Sequence, residues 1–120
     1  QLHALSRLFD IKKVLLFDVD TSVMHSFSER VSMLNLDIEI VFSTTEEIVK
    51  TSDIICTETS IEIGEGPLFS HLETQAHVHI NAVGSDFPGK VEIPLDLLKQ
   101  SLVCPDFLEQ AKIEGECQQL

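Results

Sequence analysis

At 120 residues and 43% hydrophobic content, the chain is long enough for one domain with a modest core. Its 8 lysines and arginines against 20 aspartates and glutamates give a formal net charge of -12, which repels phosphate backbones and anionic lipid surfaces. We therefore expect neither a nucleic-acid partner nor a membrane partner, and a soluble protein of the cytoplasm.

Short apolar runs recur along the chain and predict strands. The run at residues 14–17 is unbroken, and continuous rather than alternating apolarity is typical of strands covered on both faces in a parallel sheet. They lie at residues 14–17, 38–42, 54–56, 78–83 and 102–104.

Helical patterns separate these runs. Apolar residues at helical spacing follow Thr21 and Ser22, either of which can cap the first turn. Thr44 and Glu47 have the spacing of a capping box, and Pro94 suits the first turn of a later helix. The alternation predicts an α/β fold of Rossmann-like type, a doubly wound and mostly parallel sheet that binds ligands beyond the carboxyl ends of its strands.

The first candidate site residue is Asp18, which closes the run at 14–17. An acid at this place in a dinucleotide-binding fold accepts hydrogen bonds from the adenosine ribose, and it favours NAD over NADP because it repels a 2'-phosphate. Asp18 could equally cap the next helix. Residues 16–22 also resemble the first motif of haloacid-dehalogenase-like phosphatases, but no acidic pair that would hold magnesium follows them.

A second candidate site lies in residues 81–92, which read NAVGSDFPGKVE. Gly84 and Gly89 can bring backbone close to a flat ligand while the loop displays Asp86 and Lys90. A carboxylate in a closed pocket can act as a general acid or base. The alternative is a solvated turn on which Asp86 and Lys90 form an ordinary ion pair.

This segment resembles the NAVGxDxPGKxEL motif of the ornithine cyclodeaminase and mu-crystallin family. Residues 113–119, IEGECQQ, are similar to the IEGExQQ segment of its cyclodeaminase branch, and Asp18-Val19-Asp20 agrees as well. The resemblance extends over essentially the whole chain, and it implies that residues 1–120 are part of an NAD-binding domain.

The resemblance implies a role for each matching residue. Asp86 falls on the family's catalytic aspartate, beside the substrate and the nicotinamide, and Asp18 falls on the ribose-binding acid. The other cofactor-binding positions that it implies are Thr59, Ile80, Asn81, Ala82, Val83 and Lys90.

The activity that the resemblance implies is conversion of L-ornithine to L-proline and ammonia with NAD as cofactor. The cofactor takes a hydride from the α carbon, the distal amine attacks the imine, ammonia leaves and the hydride returns. An amino-acid dehydrogenase or ketimine reductase of the same family, using NAD or NADP, is one alternative. A mu-crystallin-like binding protein without chemistry is another. A homodimer is the expected state of the full-length protein.

Two parts of a dinucleotide-binding fold are missing from the sequence, its first strand and the glycine-rich turn that seats the pyrophosphate. Residues 1–9 fit the end of the helix that follows this turn. We therefore expect the C-terminal part of an NAD-binding domain, inactive by itself. Without the first strand, either the runs at 14–17 and 54–56 pair directly or two copies supply each other's missing edge.

Neither a metal site nor a disulfide is predicted. His77 and His79 lie on one face of a strand, and His71 is near them in sequence, but no cysteine or carboxylate has matching spacing. The cysteines lack CxxC spacing, and we expect reduced and mostly buried thiols. They are Cys56, Cys104 and Cys117.

Overall fold

The computed structural model describes residues 1–70 and 74–120. The chain forms two compact units, Gln1–Ser52 and Asp53–Leu120. Each unit contains a two-stranded parallel sheet. His71, considered above as a metal ligand, lies outside the described residues.

The first unit alternates helices and strands. Its elements are α1 (Leu2–Leu8), β1 (Lys13–Leu16), α2 (Thr21–Ser32), β2 (Glu39–Phe42) and α3 (Thr45–Thr51). The register of β1 and β2 runs from Lys13 opposite Glu39 to Leu16 opposite Phe42. The buried apolar side chains of this unit are Met24, Val31 and Val49.

Side chains cap the helices α2 and α3. The Asp20 Oδ1 atom accepts hydrogen bonds from Ser22 N at 2.8 Å and Ser22 Oγ at 2.7 Å. The expectation that Thr21 or Ser22 caps α2 is therefore wrong, because the carboxylate of Asp20 accepts from the free N–H group while Ser22 donates. Thr44 caps α3 as predicted, since its Oγ1 atom accepts from Glu47 N at 3.2 Å.

The cap of α2 makes stability depend on pH. The Ser22 hydroxyl, and after it the Ser22 backbone N–H, hold the pKa of Asp20 below its usual value. The contribution of Asp20 to the free energy of unfolding is therefore present above the ordinary aspartate pKa and is lost as pH falls through the lowered one. We expect Asp20→Asn to flatten this acid-side dependence, because asparagine caps comparably without titrating.

Urea denaturation from neutral to acid pH checks this expectation. Glu29→Gln is the matched control, because Glu29 is an exposed carboxylate of the same helix. An Asp20→Asn variant that loses stability in acid as steeply as the parent contradicts it.

The second unit contains β3 (Ile54–Thr57), β4 (His79–Ala82), α4 (Leu95–Gln100), α5 (Leu108–Glu114) and a 3-10 helix (Glu116–Gln119). The strands are parallel and in register from Ile54 opposite His79 to Thr57 opposite Ala82. The helix α4 is present where it was predicted, but Pro94 is its N-cap and the first turn begins at Leu95. The buried apolar side chains are Ile55, Phe69, Ile93, Leu97 and Leu98.

Two expectations about the strands are wrong. Residues 102–104 are irregular and Leu102 is 98% exposed, in a short run that ends at Pro105, which has no N–H group for a sheet. Within the described ranges β1 pairs with β2 and β3 with β4. Of the strand residues only Ile55 and Thr57, on alternate positions of β3, are buried.

The cysteine side chains are also more exposed to solvent than expected. All are free, but Cys56 and Cys104 are exposed and Cys117 is half-buried. Cys56 alternates with the buried positions of β3, and Cys104 lies in the irregular segment. Of the helices in residues 1–70 and 74–120, none has the length and apolarity needed to cross a membrane.

Candidate functional site

The carboxyl ends of β3 and β4 bring together most of the predicted site residues. Thr57 lies opposite Ala82, so the two strands end level and the segments after them start at the same edge. Ligands of parallel α/β sheets bind at this edge. The predicted residues found here are Thr59, Ile80, Asn81, Ala82, Val83, Asp86 and Lys90.

The loop beyond β4 places Asp86 and Lys90 side by side. Asp86 N donates to Gly84 O at 2.9 Å, and Lys90 N donates to Phe87 O at 3.0 Å. Gly89 has φ 90°, a conformation that glycine adopts readily. The Lys90 Nζ atom lies 3.2 Å from Asp86 Oδ1, with the Asp86 side chain 71% exposed and that of Lys90 18%. The carboxylate is thus accessible, while the lysine that orients it is packed.

A buried carboxylate that the sequence analysis missed joins the two strand ends. Glu92 is 0% exposed. Its carboxylate accepts hydrogen bonds from Thr57 Oγ1 at 2.6 Å and Gly84 N at 2.8 Å, and from the N and Oγ1 atoms of Thr59 at 2.9 and 2.7 Å. Glu92 therefore links the segment after β3 to the start of the Asp86 loop.

A side-chain amide holds the other end of this loop. The Gln118 Oε1 atom accepts from Gly89 N at 2.6 Å, and its Nε2 atom donates to Lys90 O at 3.0 Å. A carboxamide carries an acceptor and a donor, as a peptide group does. Gln118 therefore pairs with the loop backbone as a peptide group of a neighbouring strand would.

The 3-10 helix that carries Gln118 also holds the backbone after the loop. Glu116 Oε1 accepts from Glu92 N at 2.7 Å, Glu116 Oε2 accepts from Ile93 N at 3.3 Å, and Gln119 Nε2 donates to Ile93 O at 3.0 Å. Burial raises the pKa of Glu116 above its usual value, against the lowering effect of these N–H donors.

These bonds join residues 81–92 to residues 113–119, the two segments on which the family resemblance depends. The sequence analysis used both motifs without predicting that they are in contact. The signal that could have identified Glu92 is its place between Val91 and the apolar Ile93-Pro94, where a charged residue is unexpected unless it is buried with partners.

Asp18 belongs to the first unit and follows the end of β1. Its Oδ1 atom accepts from Asp20 N at 2.8 Å, and the side chain is half-buried. The alternative that Asp18 caps α2 is wrong, because Asp20 is the cap. Among the described residues, no group of three or more histidines, cysteines, aspartates and glutamates could hold a metal ion.

Comparison with known proteins decides the family. The model of the ornithine cyclodeaminase/mu-crystallin family matches residues 1–120. The chain belongs to this family. The relatives that it matches include cyclodeaminases, an alanine dehydrogenase and a Δ1-pyrroline-2-carboxylate reductase.

Individual relatives agree with the assignment. The chain is 40% identical to an L-lysine cyclodeaminase of Streptomyces rapamycinicus and 34% identical to an ornithine cyclodeaminase of Agrobacterium tumefaciens, covering 100% of this chain and 34% and 33% of those proteins. It is 32% identical to an alanine dehydrogenase of Archaeoglobus fulgidus, over 97% of this chain and 34% of that protein. The chain therefore spans about a third of the length of these relatives.

A solved structure agrees as well. It comes from a study of how lysine cyclodeaminase recognises L-lysine, L-ornithine and L-2,4-diaminobutyric acid. The TM-score is 0.93 at 39% identity, over 99% of this chain and 34% of the other. This likeness confirms the predicted parallel α/β fold class.

Proposed function

We propose that this chain forms part of the NAD site of a cyclodeaminase that converts L-ornithine to L-proline and ammonia, with L-lysine as the other substrate to be tested. The observation that carries the proposal is the loop of Asp86 and Lys90, held between the Glu92 carboxylate and the Gln118 amide at the edge where β3 and β4 end. The family and its lysine and ornithine cyclodeaminases support it.

The residues fit a dinucleotide in their chemistry. One oxygen of Asp18 accepts from Asp20 N, and the other has no partner within residues 1–70 and 74–120, so it can accept from a ribose hydroxyl. On the nicotinamide side we propose Thr59, Lys90 and the backbone of residues 80–83. NAD, when bound, supplies a hydride acceptor for the α carbon of the substrate and later returns the hydride.

Asp86 is proposed to move protons on the substrate amine. Its carboxylate is exposed on a loop fixed at both ends, so it can accept a proton at Oδ1 or Oδ2 without a change of backbone. Lys90 orients this carboxylate from one side. A loop held in advance avoids the cost of ordering it when the substrate binds.

The test is NAD-dependent ammonia release by the protein that contains this chain, with L-ornithine and L-lysine as substrates. We expect ammonia and a cyclic amino acid in equal amounts, without accumulation of NADH, because the hydride is returned. If the protein turns over neither L-ornithine nor L-lysine, the proposal is contradicted.

An amino-acid dehydrogenase is the second candidate, favoured by the relatives named alanine dehydrogenase and Δ1-pyrroline-2-carboxylate reductase. The same assay separates the classes. Net NADH formation from an amino acid identifies a dehydrogenase, NADH or NADPH consumption with a cyclic imine identifies a ketimine reductase, and cofactor binding without either reaction identifies a binding protein. We also propose a homodimer that works in the cytoplasm, which light scattering and cell fractionation test.

A further inference from the structure

Glu92 places an acidic side chain in a fully buried position of the second unit. Burying an ionised carboxylate is costly unless hydrogen bonds compensate it. Each of its oxygens receives one backbone N–H and one hydroxyl: Oε1 from Thr59 N and Oγ1, and Oε2 from Gly84 N and Thr57 Oγ1. The protein therefore directs four donors at this carboxyl group, and two of them are backbone N–H groups, one to each oxygen.

A neutral amide cannot replace this carboxylate. The Thr57 and Thr59 hydroxyls can rotate and become acceptors, but the N–H groups of Thr59 and Gly84 can only donate. In either orientation, a glutamine at this position directs its own NH2 group towards one of these N–H groups. The geometry thus distinguishes two side chains of nearly equal size.

The two N–H groups belong to the segments that carry the site. Thr59 is a proposed cofactor contact, and Gly84 O accepts from Asp86 N at 2.9 Å at the start of the loop. The backbone N–H of Glu92 is itself bound by Glu116 Oε1. A displacement of the Glu92 carboxylate is therefore transmitted directly to both sides of the site.

We propose that Glu92 is a positioning residue that sets the spacing between Thr59 and the Asp86 loop, and that its two accepting carboxyl oxygens are required for this role. It touches neither the reacting atoms nor the cofactor in this proposal, and it acts through Thr59 N and Gly84 N. The inference rests on the proposed NAD site, and its effect on turnover rests also on the proposed cyclodeaminase activity.

The experiment compares the parent protein that contains this chain with Glu92→Gln, Glu92→Asp and the control Glu58→Gln. Glu58 is an exposed glutamate between Thr57 and Thr59. NAD affinity is measured by calorimetry, and kcat and KM by ammonia release, at a temperature at which circular dichroism shows each variant folded.

We expect Glu92→Gln to weaken NAD binding about 10-fold and to lower kcat about 100-fold with little change in substrate KM. Glu92→Asp keeps the charge but is shorter, so intermediate values are expected. Glu58→Gln should match the parent. A folded Glu92→Gln protein with parental kcat and NAD affinity shows a merely structural role and overturns the inference.

If Glu92→Gln does not fold, Glu92→Asp tests the positioning role: reduced kcat and NAD affinity support that role, and parental values overturn it. A parent that binds NAD but turns over neither amino acid defeats the proposed function, while the NAD affinities still decide the role of Glu92. A parent that does not bind NAD overturns both.

Discussion

Replacing Asp86 with asparagine should lower turnover by about 100-fold to 10,000-fold, the range for loss of a general acid or base. Asparagine keeps the shape of the side chain but cannot carry the proton. The folded state should be little affected, because the Asp86 side chain is 71% exposed and contacts Lys90 at 3.2 Å. We therefore expect the free energy of unfolding to change by less than about 0.5 kcal/mol.

Ammonia release and urea denaturation measure the two parts of this expectation. Asp106→Asn is the matched control, since Asp106 is an exposed aspartate outside the loop whose Oδ1 atom accepts from Phe107 N, a bond that asparagine can also make. NAD affinity should stay near that of the parent. Undiminished turnover in Asp86→Asn would remove Asp86 from the proton transfers.

Replacing Gly84 with alanine should destabilise the protein by about 3 kcal/mol or more through overpacking. A Cβ atom at Gly84 would lie 2.2 Å from Glu92 Oε1, 2.6 Å from Glu92 Cδ and 2.7 Å from Thr59 O. None of these atoms can move cheaply, because the carboxylate is held by its hydrogen bonds and Thr59 O belongs to the backbone. The methyl group would force β3 and β4 apart where they end.

Gly64→Ala is the control that separates crowding from backbone strain. Gly64 has φ 83°, and a Cβ atom there would meet nothing within 4 Å. Its replacement should cost only about 1 kcal/mol, through the left-handed conformation. Thermal and urea unfolding of both variants give the comparison, and a loss at Gly84 no larger than that at Gly64 would contradict the crowding argument.

The sequence by itself determined the features that depend on neighbouring residues. Apolar runs located β1 to β4, and the spacing of Thr44 and Glu47 predicted the cap of α3 because a cap joins atoms less than one helical turn apart. The motif at residues 81–92 could be identified from the sequence because its residues are consecutive, and the family that it indicated is confirmed. Local signals also misled at residues 102–104, where an apolar run without strand partners stays irregular.

Only the tertiary structure decided which distant residues meet. Glu92 reaches Thr57 and Thr59 across more than 30 positions of the chain, and Gln118 reaches Gly89 across a similar distance. Neither pairing has a local pattern, because a carboxylate or an amide accepts any donor that the fold brings within reach. The resemblance of the motif implied roles for Asp86 and Lys90, and the long-range hydrogen bonds show what holds their loop in place.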